Sequence, residues 1–222
     1  MIREPGDLFP TPFRGACPPG QEGRVDVATR TGAPGTTRTV AGTEAGTLML
    51  VLGGTRSGKS EVAERLAGER AGSEGAVTYV ATGASPTGTG DPLWDARVQA
   101  HRNRRPSRWE TMELGPGRDL GAACAALAGT VLIDSLGSWV AGMEGFRVDH
   151  DRLCADLRRR ADAAGGLTVV VSEEVGLGVH PPTSAGMAFA DALGLVNQRV
   201  AAVSDEVLLV VAGRVLALGG GR

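Results

Sequence analysis

The stretch Gly53-Gly-Thr-Arg-Ser-Gly-Lys-Ser60 limits what this chain can fold into more than any other feature. It has the spacing G-x-x-x-x-G-K-S, and its flanks give that spacing meaning. Leu48 to Leu52 is a short continuous apolar run, as a strand buried on both faces requires. After the loop, Val62, Ala63, Leu66 and Ala67 recur on one face of a helix. A glycine-rich turn between such a strand and helix lets backbone N–H groups face phosphate oxygens, and the helix N-terminus adds positive potential. The loop residues Gly53, Gly54, Thr55, Arg56, Ser57, Gly58, Lys59 and Ser60 are therefore expected to bind nucleotide. Lys59 would bridge the terminal phosphates and the Ser60 hydroxyl would hold Mg²⁺. The plainer alternative is a glycine turn that merely joins strand to helix.

Composition bears on that choice. Of the 23 lysines and arginines, Lys59 is the single lysine. Arginine is a poor substitute where a compact point charge must fit among phosphates, so a lysine kept here alone points to that use.

The rest of the chain alternates strand and helix. Further strands are expected over Ala76–Ala81, Val131–Ile133, Val169–Val171 and Val207–Val211. Asp91 and Pro92 read as the N-cap and first residue of a helix that Pro106 stops, with Trp94, Val98 and His101 on its inward stripe. An alanine-rich helix follows around Leu120–Leu127, then a charged helix through Leu153 and Leu157 that ends near Gly165. Phe189, Leu193, Val196, Val200 and Val203 mark the last helix. Such alternation means an α/β fold, a mainly parallel sheet covered on both faces. Residues 1–46 differ: they are rich in Gly, Pro, Thr and Arg without periodicity, and read as a disordered extension before a catalytic domain over residues 47–222.

Several function classes are disfavoured. A net charge of −2 gives no electrostatic case for nucleic-acid binding. No apolar run approaches membrane-spanning length, and no signal peptide opens the chain, so a soluble cytoplasmic protein is expected. Cys17, Cys124 and Cys154 have neither metal-ligand spacing nor the look of a disulfide framework, and read as buried small apolar residues or inert thiols.

Three further features carry chemistry. Asp134 ends an apolar strand, where a P-loop protein commonly keeps a carboxylate beside Mg²⁺; its alternative is a strand-end cap. Arg97, His101, Arg102, Arg104, Arg105 and Arg108 form a basic run with Trp109 beside it. It is either a phosphate and base site or a solvated face. Arg97 and Arg105 stand four residues on either side of His101, and cations at that spacing would keep the imidazole neutral, as a nucleophile requires. A lone helical histidine is more often structural. Last, the paired acids and glycines of Ser172–Gly178 suit a substrate-contacting loop or a plain strand-to-helix connection.

Together these residues resemble the bifunctional adenosylcobinamide kinase / adenosylcobinamide-phosphate guanylyltransferase family of cobalamin synthesis. The blocks that match, in order, are GGTRSGKS at Gly53, YVAT at Tyr79, ARVQAHRNRRPSRWETME ending at Glu113, SEEVGLGVHPPT at Ser172 and LGLVNQRVAAVSDEVLLVVAG from Leu193. The resemblance implies a RecA-like sheet, a homotrimer, and two reactions: phosphorylation of adenosylcobinamide, then transfer of GMP from GTP to adenosylcobinamide phosphate. It implies ATP or GTP as phosphoryl donor and a guanylylated histidine at His101. It also implies nucleotide contacts at Gly53–Ser60, Thr82, Gly83, Ala84, Arg102, Asn103, Arg104, Arg105, Glu113 and Asp134. Met187 and Ala190 stand where the family often has arginine. Two rivals remain: another P-loop small-molecule kinase with a structural His101, and a nucleotide-dependent switch or binding protein.

Overall fold

Short runs of valine, leucine and isoleucine become interior strands here because both of their faces are covered. The computed structural model describes residues 46–73, 75–83, 99, 102–164 and 166–219. In chain order these form β1 (Thr47–Gly53), α1 (Lys59–Ala71), β2 (Val77–Ala81), β3 (Glu110–Glu113), α2 (Leu120–Cys124), β4 (Thr130–Asp134) and α3 (Leu136–Ala141). A 3₁₀ turn (Glu144–Phe146), α4 (His150–Ala164), β5 (Leu167–Glu173), α5 (Ser184–Val203), β6 (Glu206–Val211) and β7 (Arg214–Gly219) complete the order.

The strands make one sheet in the order β3-β2-β4-β5-β1-β6-β7. β1 pairs in parallel with β5 and β6, β4 with β2 and β5, and β2 with β3; β7 returns antiparallel on β6. Side chains alternate across this sheet. Met49, Val51, Tyr79, Leu132 and Val171 meet Val62, Ala63 and Ala67 of α1, with Trp109 beside them. Leu48, Leu50, Ile133 and Val170 meet α2, α3, α4 and α5 on the other face through Leu120, Leu136, Leu157 and Leu193. The mainly parallel sheet with helices on both faces is as the alternation implied.

Boundaries moved where polar residues join elements. The strand expected over Val169–Val171 extends over Leu167–Glu173, and the helix expected from Phe189 begins at Ser184, where the Thr183 side chain accepts the Gly186 N–H. The alanine-rich helix stops at Cys124 rather than Leu127. Three elements had no periodic signal. β3 is a four-residue edge strand with exposed ends, α3 is a six-residue helix, and β7 follows a two-residue turn. In that turn both Ala212 (φ 49) and Gly213 (φ 73) are left-handed, the geometry of a type I′ hairpin without its favoured Asn-Gly.

Some expectations lie outside the described residues. These are the extension over 1–46 apart from Gly46, Cys17, Ala84, and the helix from Asp91 and Pro92 through Trp94, Val98 and His101. Gln99 and Arg102–Arg104 of that helix are described and helical. Arg105 follows the last described helical residue, its N–H donating to the Arg102 carbonyl oxygen at 3.3 Å, and Pro106 disfavours the α region in the residue before it. Gly46 is buried, and its carbonyl accepts a hydrogen bond from Arg158 Nη2 at 2.9 Å.

Candidate active site

Parallel strands deliver their last residues to one edge, and there the chain concentrates its polar side chains. Gly53 ends β1 and opens the loop to α1. A Cβ at Gly53 would come within 2.4 Å of Ser57 Oγ and 2.8 Å of the Val210 carbonyl oxygen, so only glycine lets the loop fold back this tightly. Gly58 (φ 94) turns the chain into α1 without any side-chain cap, leaving the first-turn N–H groups of a 13-residue helix facing outward. The Gly213 N–H donates to the Ser57 carbonyl oxygen at 2.8 Å, so the β6–β7 turn props the loop from beneath. Ser57 Oγ is buried and has no hydrogen-bond partner among the described residues. That unsatisfied hydroxyl, the open helix end and the buried Lys59 suit an anion.

Lys59 Nζ lies 3.5 Å from the Gly54 carbonyl oxygen and 3.4 Å from Glu173 Oε1. Glu173 ends β5, and its Cα pairs in register with Gly53. Ser135 Oγ donates to its carboxylate, 3.1 Å from Oε1 and 3.0 Å from Oε2. A Cβ on Gly137 would stand 2.0 Å from Oε2, so α3 approaches the carboxylate as closely as a bare backbone allows.

Asp134 ends β4 and accepts a hydrogen bond from the Tyr79 hydroxyl at 2.8 Å. Burial, and next the Asp134 charge, push the Tyr79 pKa far above its ordinary value, so the phenol stays a neutral donor. The Arg105 guanidinium lies 3.2 Å from the Tyr79 ring centroid on its face, a cation–π contact. Thr82 is buried and exchanges two hydrogen bonds with Ser135, its Oγ1 donating to the carbonyl oxygen at 2.6 Å and accepting from the N–H at 2.8 Å. Thr82 thus ties the ends of β2 and β4 together.

The basic run is anchored on the protein. Arg104 pairs with Glu64 of α1 at 3.2 Å, and that hydrogen bond raises its pKa. Arg102 pairs with Glu113 at the end of β3, and Asn103 accepts from Gln99 Nε2. Trp109 packs on α1 beside Gly68. The expected residues therefore share one sheet edge but are spread along it. Gly53–Ser60 lie at β1 and α1, Asp134 ends β4 two strands from β1, and Glu113 is four strands from β1, about 19 Å at ~4.8 Å per strand.

For a divalent cation the expected donors Ser60 and Asp134 are one hydroxyl and one carboxylate. Among the described residues no three His, Cys, Asp or Glu side chains cluster as a metal cage. A partial donor set fits Mg²⁺, which keeps its waters and takes remaining ligands from substrate phosphates.

Residues 49–218 match the model of the cobinamide kinase / cobinamide phosphate guanyltransferase family. The chain belongs to this family. It is 35% identical over 175 residues to the bifunctional adenosylcobalamin biosynthesis protein CobP of Pseudomonas aeruginosa, covering 77% of this chain and 96% of that protein. It is 35% identical over 185 residues to the corresponding protein CobU of Salmonella typhimurium, covering 75% and 96%. Among solved structures, the flagellar accessory protein FlaH of Methanocaldococcus jannaschii shares the fold, with a TM-score of 0.50 at 15% identity over 80% of each chain. No described helix is long and apolar enough to cross a membrane.

Within this family frame, the sequence marked Glu173 only as one of the paired acids of Ser172–Gly178, and gave no role to Ser135, Gly137 and Glu64. For Glu173 a further signal existed: it follows directly on the continuous apolar run Val169–Val171, so it falls at the end of a buried strand. Ser135, Gly137 and Glu64 had none, since each matters only through a contact distant in sequence.

Proposed function

We propose that this protein phosphorylates the aminopropanol hydroxyl of adenosylcobinamide and then transfers GMP from GTP to the resulting phosphate, giving adenosylcobinamide-GDP. The observation that carries the reading is the sole lysine of the chain, buried in an uncapped glycine loop at the sheet edge, in a member of this family.

The nucleotide triphosphate lies over Gly53–Ser60, where backbone N–H groups and Lys59 spread its charge. Bound Mg²⁺, held by Ser60 and Asp134, would supply further charge neutralisation there. In the kinase step the hydroxyl attacks the γ-phosphorus of ATP or GTP and the diphosphate leaves, chemistry that mainly requires positioning. In the transfer step neutral His101 attacks the α-phosphorus of GTP, pyrophosphate leaves, and the phosphate of adenosylcobinamide phosphate then displaces the histidine. Arg102, Asn103, Arg104 and Arg105, with Thr82, Gly83, Ala84 and Glu113, are assigned to the nucleoside end. The assembly is a trimer and the compartment the cytoplasm, as the family resemblance implies.

Incubation of the full chain with adenosylcobinamide, GTP and Mg²⁺, followed by mass spectrometry, tests the reading. The expected sequence is the monophosphate followed by the GDP ester. Accumulation of neither product contradicts it.

A further inference from the structure

A carboxylate at a polyphosphate site has to answer either to a cation or to a proton, because phosphate oxygens repel it. Glu173 is such a carboxylate, and its backbone is fixed from several sides. Its carbonyl oxygen accepts from Asn197 Nδ2 at 2.9 Å, Ser172 Oγ meets Asn197 Oδ1 at 2.6 Å, and the Glu174 N–H donates to the Gly53 carbonyl oxygen at 3.1 Å. Its side chain is held by Ser135 Oγ and Lys59 and crowded by Gly137. About a third of that side chain, 31%, still faces solvent. A group so supported and yet open on one side is arranged for contact with something that arrives.

The cation it touches now has another task. Once phosphates take the Lys59 ammonium, the Glu173 carboxylate is left beside the terminal phosphoryl group, because Lys59 marks that position. Asp134, at the end of β4, is engaged by the Tyr79 hydroxyl, and the neighbouring acid Glu174 accepts the Gly176 N–H on its Oε1. The two half-reactions differ in what they need. An alcohol gives up a proton when it is phosphorylated, whereas a phosphate monoester dianion attacks without losing one.

Resting on the function proposed above, we infer that Glu173 accepts the proton of the acceptor hydroxyl in the kinase half-reaction and takes no part in guanylyl transfer. The hydroxyl oxygen bonds to the γ-phosphorus, and the bond from that phosphorus to the bridging oxygen breaks. The nucleoside diphosphate leaves with the electron pair, and the hydroxyl proton passes to a Glu173 oxygen.

The test is Glu173→Gln in the full chain, with the half-reactions assayed separately on adenosylcobinamide and on adenosylcobinamide phosphate. The expected result is a kinase kcat lowered roughly 10²–10⁴-fold, with the nucleotide KM little changed and guanylyl transfer retained. Circular dichroism checks that the variant is folded. Glu173→Asp, which keeps the charge but withdraws it by one methylene, should lose kinase kcat selectively too. Unchanged kinase turnover in Glu173→Gln overturns the assignment. Parallel loss of both half-reactions with weakened GDP binding also overturns it, since Glu173 would then be a support of the nucleotide loop. If the wild-type chain makes neither product, the functional reading itself fails and takes this assignment with it.

Discussion

Gly137→Ala isolates the carboxylate at the P-loop without touching a charged residue. The added methyl would stand 2.0 Å from Glu173 Oε2 and 2.9 Å from its Cδ, with Leu193 Cδ2 at 3.4 Å. The obstacle is the far end of a flexible side chain, so the carboxylate swings away while the backbone stays. Alanine is favoured over glycine within a helix by up to ~1 kcal/mol. Against this, the swing breaks the single hydrogen bond that the Ser135 hydroxyl shares between both oxygens of a charged acceptor, worth about 1.5–3 kcal/mol, discounted because the freed carboxylate is partly exposed and regains water. The balance is a loss of about 1–2 kcal/mol, or roughly 2–8 °C in melting temperature for a domain of this size. Scanning calorimetry reads that loss. The same preparation should lose kinase turnover by at least about tenfold while keeping guanylyl transfer, as expected of a displaced general base. A melting point at or above wild type, together with normal kinase turnover, would refute the reasoning, because Glu173 would then not depend on that approach.

Two further outcomes follow from the same geometry. Lys59→Ala should weaken nucleotide binding by roughly 10–100-fold, the loss of one charge-assisted contact at ~1.5–3 kcal/mol, with a melting temperature within a few degrees of wild type; titration with a fluorescent GDP analogue that showed unchanged affinity would contradict the placement of the lysine. Burial pushes the Cys124 thiol up to about 12 and raises that of Cys154 as well, so both stay protonated at pH 8. Peptide mapping after brief treatment with a thiol reagent should find both unmodified in native protein and modified after denaturation, whereas rapid native labelling of Cys124 would mean that its helix is open.

How much was legible follows from what each residue needs. The P-loop is local: strand, glycines, lysine and helix lie within 25 consecutive residues, Thr47–Ala71, so spacing alone assembles them. Asp134 was visible because a buried strand ends on it. Glu173 was visible only as one of two acids, since its meaning depends on β5 lying beside β1, a pairing between residues 120 apart in sequence. β7 escaped notice because its turn uses Ala212, which pays a steric cost at positive φ that no favoured turn sequence announces. The contact of the Arg105 guanidinium with the face of Tyr79 was not legible, because it joins residues 26 apart in sequence just past the last helical residue.

The central claim is the covalent role of His101, and its most direct measurement is retention of radiolabel by the full chain. Protein incubated with GTP labelled with phosphorus-32 at the α position should retain the label in an acid-labile, base-stable bond, and should retain none from GTP labelled at the γ position. The bond should survive hydroxylamine, unlike a carboxyl-linked adduct, and should be absent from His101→Asn, which keeps bulk and some hydrogen bonding while removing the nucleophile. Label retained by His101→Asn would move the nucleophile to another residue, His150 and His180 first. A wild-type chain that makes the guanylylated corrinoid yet never retains label would contradict the covalent route altogether.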